Sequence, residues 1–525
     1  MEAISRPAGT DLVEQLRGAG LERGGFLALA FEPAVGLAVV MPGGALFSAD
    51  VSDPLATVAR LEAAFRPRWL LWEVEPLALV TGGVRVQKSW NIAAVHRLLT
   101  GGWRATPDRV WADAQGLDVD TLPEVAVLDL FSDLTDAGPP DEPIRSDGYL
   151  KPEWLGHSFE WTVQRLTRWA QLAVEVAMVQ QARLADLEDR PRARSTARSE
   201  SAAELLCAEL SVDGLPMDRV EAERIVASFV GPRPRTEGEA VEQRQLRDAA
   251  VLQHSPNSAY DLRNPAQVKS LLRGIGVELP DTRAWRLEAI RGSHPLIDAL
   301  LEWRKAERIA TTFGYGWLDE HLGDDGRLRG TWSGSDGAAG RMTASAGLHN
   351  MPGNLRSAVV AEHGHVFVRA DLGQIEPRVL AAVSGDAALA KATADDDLYL
   401  PVASQLGVDR ATAKVAVLGA MYGQTTGHGA VALRGLESAY PVAMRYLTEA
   451  DLAGQVGRSV RTYGGRLIRT ASASADEPNE RDSRSRAAAQ GRYARNALVQ
   501  GAAAELFKVW AVMVRLRAPA LGARI

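Results

Sequence analysis

The chain has 525 residues, more than three times a usual domain of ~150, so two to four domains are expected. Apolar residues make up 46% and charged residues 24%, close to globular averages, which excludes wholesale disorder and a fibrous repeat. The net charge of −7 argues against a polyanionic partner for the chain as a whole, but residues 410–525 carry 17 Lys/Arg against 8 Asp/Glu, a local +9 that leaves −16 on the rest. One cysteine, Cys207, excludes an intramolecular disulfide and any multi-cysteine metal site. The longest apolar run, 26–44, is broken by Glu32 and Pro33, so no membrane span is expected there. MEAISRP at the start carries no signal-peptide pattern, and the reading is a cytoplasmic, nucleoid-associated protein with no membrane partner. Arginine outnumbers lysine by 52 to 7, a skew that codon bias in a high-GC genome would produce.

In chain order, residues 26–47 alternate short apolar runs with Gly and Pro and read as a β-hairpin at a sheet edge. Trp69 to Glu73 reads as a further strand and Ile92 to Leu99 as a helix. Between Trp154 and Leu187, Leu166, Trp169, Leu172, Val176 and Val179 recur at helical spacing, so a long helix closes a first unit. Residues 185–203 are polar and charged and read as a linker. Helical periodicity then marks Ala203–Leu210, Arg219–Phe229, Pro265–Leu272 and Pro295–Thr311. A glycine-rich stretch at 323–356 reads as irregular, His365 to Asp371 as a β-strand, everything from Ile375 onward as mostly helical, and 470–486 as a disordered insert.

Four clusters carry chemistry. In VRADLGQIEPR, Asp371 ends an apolar strand, which places a carboxylate rigidly enough to hold a metal, although a strand-end Asp also serves as a helix cap. In DRATAKVAVLGAMYG, Arg410, Lys414, Leu418 and Tyr422 repeat every four residues and so share one helical face. Two cations followed by an apolar and an aromatic group would suit a nucleoside triphosphate, although taken alone the segment reads as an amphipathic helix with solvated cations. The segments GAAGRMTASAGLHNMPGNLR and RYARNALVQGAAAELFK mix Arg, Asn and Gln with small residues, the side chains that bond phosphates and minor-groove acceptors.

Together these motifs resemble those of the DNA polymerase I family (family A). AGRMTA…LHNMP…LR resembles the family's TGRLSS…LQNIP…R, with Gly340, Arg341, Asn350, Pro352 and Arg356 retained. DLGQIEPR resembles D-Y-S-Q-I-E-L-R, with Asp371, Gln374, Ile375, Glu376 and Arg378 retained. Arg410, Lys414, Leu418, Tyr422 and Gly423 match the R-x3-K-x3-F-x3-Y-G helix, and Arg492, Ala494, Asn496, Gln500 and Gly501 match the late ERxAxNxxIQG segment.

The resemblance implies an α/β multidomain fold, with an RNase H-like exonuclease-type domain at 1–190 and a polymerase domain at 191–525. Within the latter it implies a thumb at about 200–330, a palm at about 331–400 and 490–525, and fingers at about 401–489. It also implies template-directed addition of dNTPs to a primer 3′ end, with primer–template DNA and dNTPs as partners and two Mg²⁺ ions as cofactor. Asp371 would be the metal ligand and Lys414 would assist catalysis. Arg410, Lys414, Leu418, Tyr422, Glu376 and Gln374 would bind the nucleotide, and Arg341, Asn350, Arg356, Arg492, Arg495, Asn496 and Gln500 the DNA. A DNA-binding module without synthesis and a nuclease with an N-terminal active domain are the alternatives.

Three departures stand out. Leu418 replaces an aromatic residue; Leu372, Gly373 and Pro377 replace Tyr, Ser and Leu; and the chain reaches Ile525 before the family's H-D-E segment, which reads as an incomplete copy of a longer protein lacking one catalytic carboxylate. In the N-terminal region only Glu32 remains where the exonuclease pattern needs several acids. Asn91 and Ala173 occupy the other positions, so that domain is expected to be inactive.

Overall fold

The computed structural model describes residues 11–49, 53–124, 139, 141–155, 159–255, 259–423, 429–470 and 480–525. These form two compact units. The first comprises residues 1–212, 332–343 and 370–525, and the second residues 213–331 and 344–369.

The first unit begins with a five-stranded sheet in the order β3-β2-β1-β4-β5. Its strands are β1 Phe26–Glu32, β2 Gly36–Val40, β3 Leu46–Ala49, β4 Arg68–Leu71 and β5 Lys88–Asn91. β1, β2 and β3 pair antiparallel, while β4 and β5 continue from β1 in parallel. The expected hairpin is therefore the edge half of this sheet, with β1 in its centre. Alternation decides the faces. Leu27, Leu29, Trp69 and Leu71 point into one core with Val58, Leu61 and Phe65 of the Pro54–Phe65 helix. Ala28, Ala30, Leu70 and Trp72 point into the other. There they meet Leu166, Trp169, Ala173 and Val176 of the Val163–Ala185 helix. The small residues on this second face leave room for a cluster of rings, in which Trp154 and Trp161 each lie 4.7–6.2 Å from the other and from Phe159 and Trp169 between centroids.

Three expectations require correction. Residues 185–203 are not a linker, because a helix begins at Ala193 and runs to Asp213. Its Ser199, Glu200 and Ser201 are buried, so polarity here marks an internal polar contact rather than solvent. The irregular stretch contains an ordered hairpin. After β6 Leu215–Pro216 and β7 Arg327–Leu328, which pair in the second unit, β8 Trp332–Asp336 joins β9 Arg341–Ala344. The segment His365 to Asp371 is not a strand, because no described strand takes up its backbone groups. Val366 and Val368 are 84% and 91% exposed, so an alternating pattern gave an extended chain without a ladder. Most of the expected 470–486 insert lies outside the described residues, and the helix Glu480–Arg517 already covers its end.

The second unit packs helices Arg219–Val230, Glu237–Leu252, Pro265–Gly274 and Pro295–Thr312 around two apolar clusters. Three of the four match the sequence periodicity, and the exception, Glu237–Leu252, buries only Val251. In the first unit, Glu480–Arg517 lies against Pro441–Gln455, Ile375–Ser384 and Arg410–Tyr422. It is long and apolar enough to cross a membrane, yet 61% of its apolar window is buried, as in a core helix.

Glu75, which opens the Glu75–Thr81 helix, is buried and leaves Oε2 without a hydrogen-bond partner among the described residues. Burial pushes its carboxyl up from 4.5 to about 7. The folded state therefore favours the protonated form, and this contribution fades as pH rises from 4.5 through 7. Glu75→Gln should match the wild-type melting temperature at pH 4 and exceed it by several degrees at pH 8, equivalent to about 3 kcal/mol at most. A difference independent of pH would show that the carboxyl does not titrate in the fold.

Candidate functional site

The helix Arg410–Tyr422 starts at Asp409, whose side chain accepts from Thr412 N, and ends at Gly423 in the left-handed region. Ala413, Ala416, Val417, Ala420 and Met421 anchor one face in a core with the neighbouring helices. The opposite face presents Arg410 and Lys414 to solvent and half-buries Leu418 and Tyr422, as the spacing predicts. Gly423 has φ 68, and a Cβ there would lie 2.7 Å from the Arg492 side chain, so only glycine fits this helix end.

Glu376 stands in the first turn of Ile375–Ser384. Tyr422 donates its hydroxyl to Glu376 Oε2 at 3.1 Å, and burial followed by this carboxylate raises the phenol's pKa. Gln500 and Arg341 both lie near the Tyr422 hydroxyl and oppose the rise. Glu376, Tyr422, Gln500 and Arg341 are therefore brought together. Pro377 is accommodated at the start of the helix, where its missing N–H costs no intrahelical bond.

The remaining DNA candidates divide. Arg492 is exposed beside Gly423. Arg495 is 8% exposed, donates Nε to Ala420 O at 2.6 Å and faces Asp451, so its guanidinium braces the end of the Arg410–Tyr422 helix. Asn496 holds Oδ1 buried without a partner among the described residues. In the second unit, Asn350 is exposed with its carbonyl accepting from Arg308, and exposed Arg356 donates to Met351 O.

Asp371 is exposed at the end of the extended segment, three residues before Gln374. It offers one hard oxygen donor. Among the described residues no group of three or more His, Cys, Asp or Glu could hold a metal ion, so they do not build a two-ion cage around it. In the N-terminal sheet, Asn91 is buried, donates to Trp72 O and caps the following helix through Ala94 N, while Ala173 is fully buried.

Behind the β8–β9 turn lies a charged cluster that the sequence did not disclose. Glu200 Oε2 accepts from Arg466 Nη2 at 2.6 Å and from Lys508 Nζ at 2.5 Å, and all three side chains are at most 1% exposed. Burial opposes ionisation of Glu200, but Arg466 and Lys508 hold its carboxyl below the ordinary value. Glu505 accepts from Gly464 N and Thr462 Oγ1, which fixes the turn carrying Arg466. The Arg466 guanidinium lies directly under Gly340, where a Cβ would approach Cζ to 2.3 Å. Gly340, at φ 64, thus sits on a buried cation and presents Arg341 next to it. The only sequence signals were an arginine in a GG-R turn and a glutamate in an apparent linker.

Residues 260–522 match the family model described as DNA polymerase family A. The chain belongs to this family. DNA polymerase I of Deinococcus radiodurans is 26% identical over 305 residues, covering 51% of this chain and 31% of the relative. The thermostable DNA polymerase I of Thermus thermophilus is 31% identical over 272 residues, covering 46% and 32%. This family A chain therefore spans about a third of the length of these curated relatives. The solved POL domain of Pol1 from M. smegmatis, in complex with DNA primer-template and dNTP, aligns with TM-score 0.64 at 20% identity. The alignment covers 98% of this chain and 89% of that one. The likeness agrees with the α/β polymerase fold expected from sequence.

Removing the charge of Glu200 would strand two buried cations. Glu200→Gln in this family A chain should lower stability by roughly 3–5 kcal/mol, read as a fall in melting temperature. Ser335→Ala, which loses one 3.3 Å hydrogen bond to Arg466, should cost far less. Equal losses would mean the cluster is not a charge network.

Proposed function

We propose that the chain is the synthetic part of a template-directed DNA polymerase that transfers deoxynucleotides from dNTPs to a primer 3′ end. The reading is carried by one arrangement: two exposed cations, Arg410 and Lys414, share a helix face with Tyr422, which hydrogen-bonds Glu376. Arg410 and Lys414 supply charge for a triphosphate, which strengthens as the leaving phosphate develops charge. Leu418 gives the sugar and base an apolar surface without a stacking plane. Glu376, fixed by the Tyr422 hydroxyl, stands where a bulkier sugar would have to displace a paired carboxylate. Asp371 is the residue we assign to Mg²⁺.

The exposed Arg341, Arg356 and Arg492, with Asn350 and Gln500, suit phosphates and minor-groove acceptors of primer–template DNA, with Asn496 and the buried Arg495 supporting them. We assign the thumb to about 200–330, the palm to about 331–400 and 490–525, the fingers to about 401–489, and a degenerate exonuclease-like domain to 1–190. Asn91 and Ala173 leave Glu32 as the single carboxylate at those positions, too few to hold two metal ions for proofreading. The cytoplasm, on chromosomal DNA, is where such a protein acts.

On primer–template ending in a dideoxynucleotide, Arg410→Ala and Lys414→Ala should each weaken binding of the complementary dNTP about tenfold, or about 1.4 kcal/mol. Primer–template affinity should fall steeply with salt in every case. In primer extension, Asp371→Asn should abolish nucleotide addition. Wild-type nucleotide affinity in both cation variants would return the helix to an ordinary amphipathic one. A labelled single-stranded 3′ end should stay intact with Mg²⁺ or Mn²⁺, and shortening that disappears on Glu32→Gln would overturn the inactive-domain assignment.

A further inference from the structure

Asp397 lies just before the helix Tyr399–Leu406, in a run of three aspartates that reads as a solvated acidic turn. Its carboxylate is fully engaged. Oδ1 accepts from Gln374 Nε2 and from Tyr399 N, both at 3.1 Å, and Oδ2 accepts from Arg410 Nε at 2.5 Å. The Gln374 amide is held at both ends, because its Oε1 accepts from Leu398 N at 3.0 Å. Gln374 needs such a hold, since its backbone sits at φ 56 and ψ 38, a region that non-glycine residues avoid. The turn itself is clamped from behind. Arg378, on the helix that Gln374 caps, donates to the carbonyls of Thr393, Asp395 and Asp396.

The way Asp397 holds Arg410 is informative. It takes the Nε edge, while the guanidinium lies over the Tyr399 ring at 5.6 Å from its centroid. Neither Nη group of Arg410 is hydrogen-bonded to a described residue. A surface ion pair formed for stability alone would favour the two-pronged grip of both Nη groups or of Nε with Nη. Here the plane and one edge are fixed, and the outer fork, the shape that captures phosphate with two parallel bonds, is left open.

We propose that Asp397 is a positioning residue of the nucleotide site: it aims the open fork of Arg410 at the phosphates of the incoming nucleotide and, through the same carboxylate, pins the Gln374 turn that follows Asp371. This rests on the polymerase reading above. It makes Asp397 a determinant of affinity for the phosphate chain, although its own negative charge would be expected to repel a triphosphate.

The test is a double-mutant cycle on the full chain with dideoxy-terminated primer–template, measuring dissociation constants for the complementary dNTP and for the corresponding deoxynucleoside monophosphate. Asp397→Asn keeps an oxygen for Gln374 and Tyr399 N and removes the charge that holds Arg410. It should weaken dNTP binding on the order of tenfold while moving monophosphate and primer–template binding less than about twofold. In the Arg410→Ala background, Asp397→Asn should have no further effect on the dNTP. Tighter dNTP binding by Asp397→Asn, or losses that simply add across the cycle, would overturn the proposal while leaving the polymerase reading in place. An Arg410→Ala variant that binds dNTP like the wild type would overturn the proposal, and wild-type binding by Lys414→Ala as well would overturn the polymerase reading with it.

Discussion

A single buried carboxylate, Glu200, holds together the parts of the first unit that carry the candidate nucleotide- and DNA-binding residues. It neutralises Arg466 beneath the β8–β9 turn and Lys508 on the long C-terminal helix, with none of the three reached by solvent. Two cations without a counter-charge could not remain in that interior, because desolvation would exceed every other local contribution. The turn carrying Arg341, the turn carrying Arg466 and the helix carrying Gln500 and Lys508 are thereby given a fixed relation. Glycine at 340 follows from this constraint, since any side chain would collide with the guanidinium.

The same principle recurs at smaller scale. Arg495 braces the last turn of Arg410–Tyr422 through the Ala420 carbonyl, and Arg378 holds the turn of residues 393–396. In each case arginine supplies several donors in a rigid fork and satisfies loop carbonyls that have no ladder or helix to serve them. An arginine-rich composition that codon bias would explain is here put to structural use. The exposed arginines and the bracing ones cannot be told apart by counting charges.

That indistinguishability sets the limit of what was legible in the sequence. Period-two and period-four patterns located β1, β4, the helices at 219, 265, 295 and 410, and the shared face of Arg410, Lys414, Leu418 and Tyr422, because apolar burial drives each of them. Patterning failed where polar groups are inside. The first half of the helix at 193–213 was hidden because Ser199, Glu200 and Ser201 face inward, while the half from Ala203 to Leu210 was legible. His365 to Asp371 carried a strand's alternation, but pairing is a property of two segments and cannot be read from one. Asp397 and Arg466 were missed for a related reason: their partners lie 23 and 266 residues away in the chain.

Cys207 lies 2% exposed on the Ala193–Asp213 helix, and burial together with nearby Glu204 pushes its thiol well above the ordinary range. The thiolate is the form that alkylating agents attack, so the native thiol is close to silent towards them. A cysteine introduced at any exposed position would therefore be the one reactive sulfur in the molecule. Site-directed probes could report on the Arg410–Tyr422 helix or the β8–β9 turn without first removing a native residue.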